Sequence, residues 1–125
     1  MSRQIIATDK APGALGPYSQ AVKAGALVFT AGQVGIDPAS GKLVEGVEGQ
    51  TRQVMANLAA VLEAAGTGWD RVVKTTIFIT DMEHFSLVNR VYQERLSGDY
   101  PARSTVAVRQ LPLGALVEIE AVAEV

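Results

Sequence analysis

Apolar residues recur with helical spacing in two stretches of the chain. From about Gly49 or Gln50 to Ala65, the residues Val54, Leu58, Val61, Leu62 and Ala65 form a single stripe, with Gln50, Gln53, Asn57 and Glu63 lying away from it. Gly66 is placed to stop that helix in a left-handed cap. A second stripe, Phe85, Val88, Tyr92 and Leu96 joined by Leu87 and Val91, predicts a helix from about Met82 to Leu96. Thr80 and Glu83 have the spacing of a capping box, with Asp81 as the alternative cap. Asn89 sits beside the second stripe, where an amide reaches either solvent or a cleft.

Elsewhere the pattern is that of strands. Gln4 to Ala7 reads as a short one, and Ala21–Lys23 with Leu27–Thr30 as a hairpin turning at Ala24-Gly25-Ala26. Asp70 to Thr80 is long, β-branched and apolar on both sides near its end, so it belongs in the middle of a sheet. From Arg103, the residues Arg103, Thr105 and Ala107 face one way and Ser104, Val106 and Val108 the other. The last run alternates too: Val117, Ile119, Ala121 and Ala123 oppose Glu118, Glu120, Val122 and Glu124. The short link through Leu111-Pro112-Leu113-Gly114 predicts an antiparallel hairpin, which would bring Glu118 or Glu120 near the Arg103 end of its neighbour. Two one-stripe helices need one side of a sheet to cover them, so the order predicts an α+β domain with both helices on one face. The opposite face then needs a cover, which another subunit would supply.

Composition narrows the class. The 125 residues suit one domain spanning 1–125, and 48% apolar content suits a folded one. The net charge of −2, with scattered lysines and arginines, argues against an extended nucleic-acid surface. Without cysteine there is no disulfide framework, thiolate metal site or thiol nucleophile. One histidine and no HxH or HExxH spacing argue against a metal centre. No apolar run approaches the roughly 20 residues of a membrane helix, and the start lacks the apolar core of a secretory signal. A cytoplasmic domain without membrane contact is the expectation.

Candidate chemistry gathers at a few residues. Tyr100-Pro-Ala-Arg-Ser-Thr delivers Arg103 to the mouth of a strand, where its fork of donors suits a carboxylate or phosphate, or else pairs with a surface acid. Tyr18, in Gly16-Pro-Tyr-Ser-Gln20, is presented from a stiffened turn and either caps the core edge or offers its hydroxyl. Gly32 at a strand end permits the close approach of a backbone or ligand, or a simple bulge. Glu118 and Glu120 read as salt-bridge partners or as a catalytic carboxylate, and His84 as a surface residue without a role.

The stretches Gly16-Pro-Tyr-Ser-Gln, Phe29-Thr-Ala-Gly-Gln33, Val88-Asn89, Pro101-Ala-Arg-Ser-Thr-Val106 and Val117-Glu-Ile-Glu-Ala-Val122 resemble the RidA/YjgF family of imine deaminases over nearly the whole chain. The resemblance implies a chorismate-mutase-like fold, with a mixed β-sheet and two helices on one face, assembled as a homotrimer with a ligand cleft at each subunit interface. It implies hydrolysis of reactive 2-imino acids, such as those from 2-aminoacrylate, to 2-keto acids and ammonia, with no cofactor and no metal. By that resemblance the catalytic residues are Arg103, which binds the substrate carboxylate, Glu118, which handles the water, and Tyr18, which closes the site and hydrogen-bonds the substrate, while Gly32, Asn89 and Thr105 line the ligand. Thr105 stands where many members carry cysteine, and Ala31 where deaminase members often carry serine. Some members are described as endoribonucleases that inhibit translation, and a non-catalytic small-carboxylate sensor or chaperone is a third possibility for such a scaffold.

Overall fold

The structure, a computed structural model, describes residues 2–125. Nine strands and two α-helices follow one another as β1 (Gln4–Ile6), β2 (Ala21–Ala24), β3 (Leu27–Thr30), β4 (Gln33–Val34), β5 (Ile36–Asp37), β6 (Lys42–Leu43), α1 (Val47–Ala64), β7 (Val72–Ile79), α2 (Phe85–Glu94), β8 (Ala102–Ala107) and β9 (Val117–Glu124). The main sheet runs β1-β2-β3-β9-β7-β8, with β4 also pairing β9, while β5 and β6 form a separate two-stranded ribbon. Only β7 and β8 are parallel in this sheet, which makes it mixed. The predicted α+β class, hairpin and long interior strand are all present.

Both helices lie on one face. Val54, Leu58, Val61 and Leu62 of α1 and Val88 and Tyr92 of α2 join Ile77, Ile79, Val117, Ile119 and Ala121 of the sheet in one buried cluster. The alternation in β9 sends those apolar residues inward and leaves Glu118, Glu120 and Val122 on the opposite face, as its period of two requires. A register shift between Val72 and Lys74 resets β7, so that Thr75, Ile77 and Ile79 point to the helices. The start of α2 is tighter than expected: Met82–His84 is a 3₁₀ turn, capped by Asp81 accepting from the Glu83 N–H at 2.9 Å. Asp81, and not Thr80, is the cap.

Two expectations fail. Val108 does not lead into a hairpin, because β7 lies between β8 and β9, pairing with β8 in parallel and β9 antiparallel. Val72–Ile79 has the most apolar run on both faces and takes an interior position between β9 and β8, leaving the more polar β8 at the edge. Gln50 and Asn57 are also buried, not solvated. Leu116 N–H donates to Gln50 Oε1 at 2.8 Å, and Asn57 Nδ2 donates to the Val34 and Ile36 carbonyls at 3.2 and 2.9 Å. Their amides bond main-chain groups at or beside strand ends, which is why polar side chains are stable there.

Candidate functional site: two half-clefts

The first cleft, of about 390 Å³, has Glu118 and Gly32 at its base and Pro12, Leu15, Tyr18 and Leu113 among its walls. Gln20, fully enclosed, clamps the loop that carries the tyrosine. Its Oε1 accepts from the Thr8 N–H at 2.7 Å, while its Nε2 donates to the carbonyls of Thr8 and Pro12 at 3.1 and 2.8 Å. Tyr18 N–H donates to Gly16 C=O at 2.8 Å, and the Tyr18 hydroxyl accepts from the Leu15 N–H at 3.3 Å. The ring remains half exposed toward the cleft.

Glu118 faces Val34 across the β4–β9 pairing. Its carboxylate lies over Gly32 so closely that a β-carbon there would overlap Oε2. The close approach foreseen at Gly32 is therefore made by the carboxylate of its own chain. Half-burial raises the Glu118 carboxyl above its usual pKa, and the like charge of Glu120 raises it further. No hydrogen-bond donor or cation holds the charged form among the described residues. The group is thus predisposed to accept and return a proton.

The second cleft, of about 460 Å³, contains Arg103, Asn89, Tyr92, Gln93, Tyr100 and Pro101. Among the described residues no acid pairs with Arg103. Its guanidinium lies 5.3 Å from the centroid of the Tyr92 ring and 5.6 Å from that of Phe85. Stacking of this kind fixes the plane of the guanidinium while leaving its N–H groups free for a ligand. Tyr92 is itself pinned by a 2.8 Å hydrogen bond between its hydroxyl and Thr75 Oγ1, and by Trp69 edge-on at 6.3 Å. Burial raises the Tyr92 pKa, opposed by the Thr75 bond and the Arg103 charge, so the ring stays neutral. Two residues along the same side of β8, Thr105 Oγ1 is buried and has no hydrogen-bond partner.

The structure brings Tyr18, Gly32 and Glu118 together, and Arg103 with Asn89, but it separates the two groups. Arg103 pairs in register with Thr75, which pairs with Ala121, whereas Glu118 pairs with Phe78. Arg103 thus shares the helix-covered face with Thr75 and Ala121, while Glu118 is on the other face. Two strand spacings and a three-residue offset put their α-carbons roughly 13–14 Å apart. The expected neighbourhood of Arg103 and Glu118 within one chain does not exist.

Gln20, Tyr92 and Phe85 escaped the reading of the sequence as site-building residues. The two aromatics looked like ordinary members of the apolar stripe, although an arginine strand after an aromatic-bearing helix was a signal for a stacked cation. Nothing in the sequence marked Gln20 as a loop clamp.

Residues 8–125 match the family model described as Endoribonuclease L-PSP. The human and mouse proteins named 2-iminobutanoate/2-iminopropanoate deaminase are 45% and 48% identical over 122 residues, 97% of this chain and 89% and 90% of theirs. Among solved structures, RidA from the Antarctic bacterium Psychrobacter sp. PAMC 21119 superposes with a TM-score of 0.96 at 47% identity, covering 98% of this chain and 99% of that one. E. coli TdcF with bound serine gives 0.93 at 41% identity, covering 98% of each chain. The chain belongs to the RidA/YjgF family, some of whose relatives are named as deaminases.

Proposed function

We propose that the protein hydrolyses 2-imino acids to 2-keto acids and ammonia, at sites completed between copies of the chain in a homotrimer with a chorismate-mutase-like fold. The observation that carries this reading is the separation of an unpaired, stacked guanidinium from a half-buried carboxylate with a raised pKa. Each is half of an imine hydrolase, and a small substrate cannot touch both within one chain. The sheet face away from the helices supports the assembly. In-register pairing lines up Ile5, Val22, Phe29 and Val122 there as an apolar row, with Ile5 52% and Phe29 46% exposed. Such a row is buried when sheets of several copies pack together.

In the assembled site the partner subunit's Arg103 grips the substrate carboxylate, with Asn89 beside it and the free Thr105 hydroxyl available to the ligand. Fixing the carboxylate holds the adjacent C=N carbon over Glu118, and such positioning removes much of the entropic barrier. Glu118 takes a proton from water as the oxygen bonds to the imine carbon and the C=N π electrons move to nitrogen. The same carboxyl returns that proton to nitrogen, giving a neutral carbinolamine. The hydroxyl proton then passes through Glu118 to the amine as the C–N bond breaks and the carbonyl forms, so nitrogen leaves as ammonia. Ammonia and the keto acid leave, and no electron is gained or lost. The backbone at Gly32 and the Tyr18 hydroxyl border the reacting carbon. Ala31, in place of a serine, contributes no hydroxyl, so the hydrogen bonds to substrate come from the groups named.

Ribonuclease chemistry, named in the family model's description, has fewer supports here. His84, the one histidine, lies in the turn before α2 and lines neither cleft. The test couples a serine or threonine dehydratase to the purified protein and follows decay of the imine intermediate, with Arg103→Ala as the control. Accelerated decay that Arg103→Ala abolishes supports the reading. Keto-acid binding without acceleration would assign a sensor instead, and salt-dependent RNA cleavage by the same preparation would assign a nuclease.

A further inference from the structure

Pro112–Ala115 forms a tight turn in which the Ala115 N–H donates to the Pro112 carbonyl at 3.0 Å. Leu113 has φ 61° and ψ 20°, and Gly114 has φ 74°. Positive φ at both central residues is the pattern of a type I′ turn, whose first central position favours Asn, Asp or Gly. A leucine is strained there, because its side chain crowds the backbone in the left-handed region. The site offers no packing in return, since Leu113 is 62% exposed. A local rule broken without gain to the core points to a function for the side chain.

Leu113 lines the Glu118 cleft opposite the loop that carries Leu15, which is 76% exposed and lines the same cleft. These are the two most exposed large apolar side chains among the described residues. The cleft between them is concave, and its 390 Å³ falls in the range of small-molecule sites. It holds far more than the single methyl group that an alanine-derived imine carries beyond its C=N carbon.

We infer that Leu113 is a specificity-determining residue, which with Leu15 forms an apolar gate selecting 2-imino acids that bear longer aliphatic side chains. This rests on the deaminase reading above and adds the substrate class. With the carboxylate on the partner subunit's Arg103 and the reacting carbon over Glu118, the substrate's side chain is the part left to meet the rim. The reactions that would supply such imines are oxidations or dehydrogenations of branched aliphatic amino acids at the α-carbon, besides dehydratase chemistry.

The test compares kcat/KM for imines generated from leucine and from alanine by an amino-acid oxidase, in wild type, Leu113→Asn and Leu15→Ser. Asn keeps the left-handed turn and removes the apolar contact. The leucine-to-alanine ratio should fall about tenfold in Leu113→Asn, in line with the discrimination that apolar pockets give. It should fall in the same direction in Leu15→Ser. An unchanged ratio, or equal loss on both substrates, would overturn the inference while leaving deaminase activity standing. A changed oligomeric mass of Leu113→Asn with the ratio intact would assign the side chain to a neighbouring chain, and also overturn it. A wild type that hydrolyses neither imine would sink the deaminase reading itself.

Discussion

The two half-clefts are built by opposite means. Around Glu118 short strands alternate with loops, and their backbone is held by amide side chains that bond to main-chain groups: Gln20 to the Tyr18 loop, Gln50 to Leu116 just before β9, and Asn57 to Val34 of β4 and Ile36 of β5. Around Arg103 the parts are regular, a strand edge and a helix face, and rigidity comes from aromatic rings, with Tyr92 under the guanidinium and Trp69 edge-on to Tyr92. The difference suits the proposed division of labour. An anchor for a carboxylate needs a fixed cation whose donors are free, and aromatic faces give that without competing for them. A general base needs a raised pKa and room for water, which a half-buried carboxylate without donors provides.

The comparison can be broken most severely at the reacting groups. Glu118→Gln should lower kcat by about 10²–10⁴-fold, the usual worth of a positioned base, while leaving pyruvate binding nearly intact in calorimetry. Equal losses in both would make Glu118 a structural acid. Arg103→Ala should show the opposite division, losing pyruvate binding by about 2–5 kcal/mol, as when a buried charge loses its partner. Its circular-dichroism spectrum should be unchanged, because among the described residues the guanidinium supports no other group by a hydrogen bond.

Smaller changes sharpen the contrast. Gly32→Ala pushes the Glu118 carboxylate aside, since the new methyl would overlap Oε2. A displacement of this size should lower kcat by up to about 10²-fold, with pyruvate affinity at the Arg103 side less affected. Tyr92→Phe keeps the ring under Arg103 but leaves the buried Thr75 hydroxyl unpaired. It should cost about 1–3 kcal/mol of stability in denaturant unfolding with little change in kcat/KM. Glu120→Gln removes the second cause of the raised Glu118 pKa, so the acidic limb of kcat/KM should move to lower pH. Burial, the first cause, remains, and the limb should still lie above that of an ordinary carboxylate.

The layout of the fold was legible because helix stripes and strand alternation report burial directly. Val54, Leu58, Val61 and Leu62 could only face a sheet, and Val117 to Ala123 could only present alternate residues to them. Strand order was less legible: a short link through Pro112-Leu113-Gly114 suits a hairpin locally, yet β7 outcompetes β8 for the place beside β9 by burying more apolar surface. Arg103 does stand at a strand mouth and Gly32 at a close approach, as their sequence context suggested, but the arrangement of the candidate site was not legible. Side-chain clamps such as Gln20 and Asn57 act across 8 to 23 residues of sequence, on backbone that has no period to reveal it.

The most direct measurement mixes the two defects. Arg103→Ala and Glu118→Gln chains, unfolded together in equal amounts and refolded, form mixed trimers if three copies assemble in a ring. Each mixed ring has one seam at which an intact Arg103 meets an intact Glu118. Random mixing makes three-quarters of the rings mixed, so about a quarter of wild-type imine hydrolysis should return from two inactive parents. A refolded mixture that forms mixed trimers yet stays as inactive as either parent would show that no catalytic site is shared between chains.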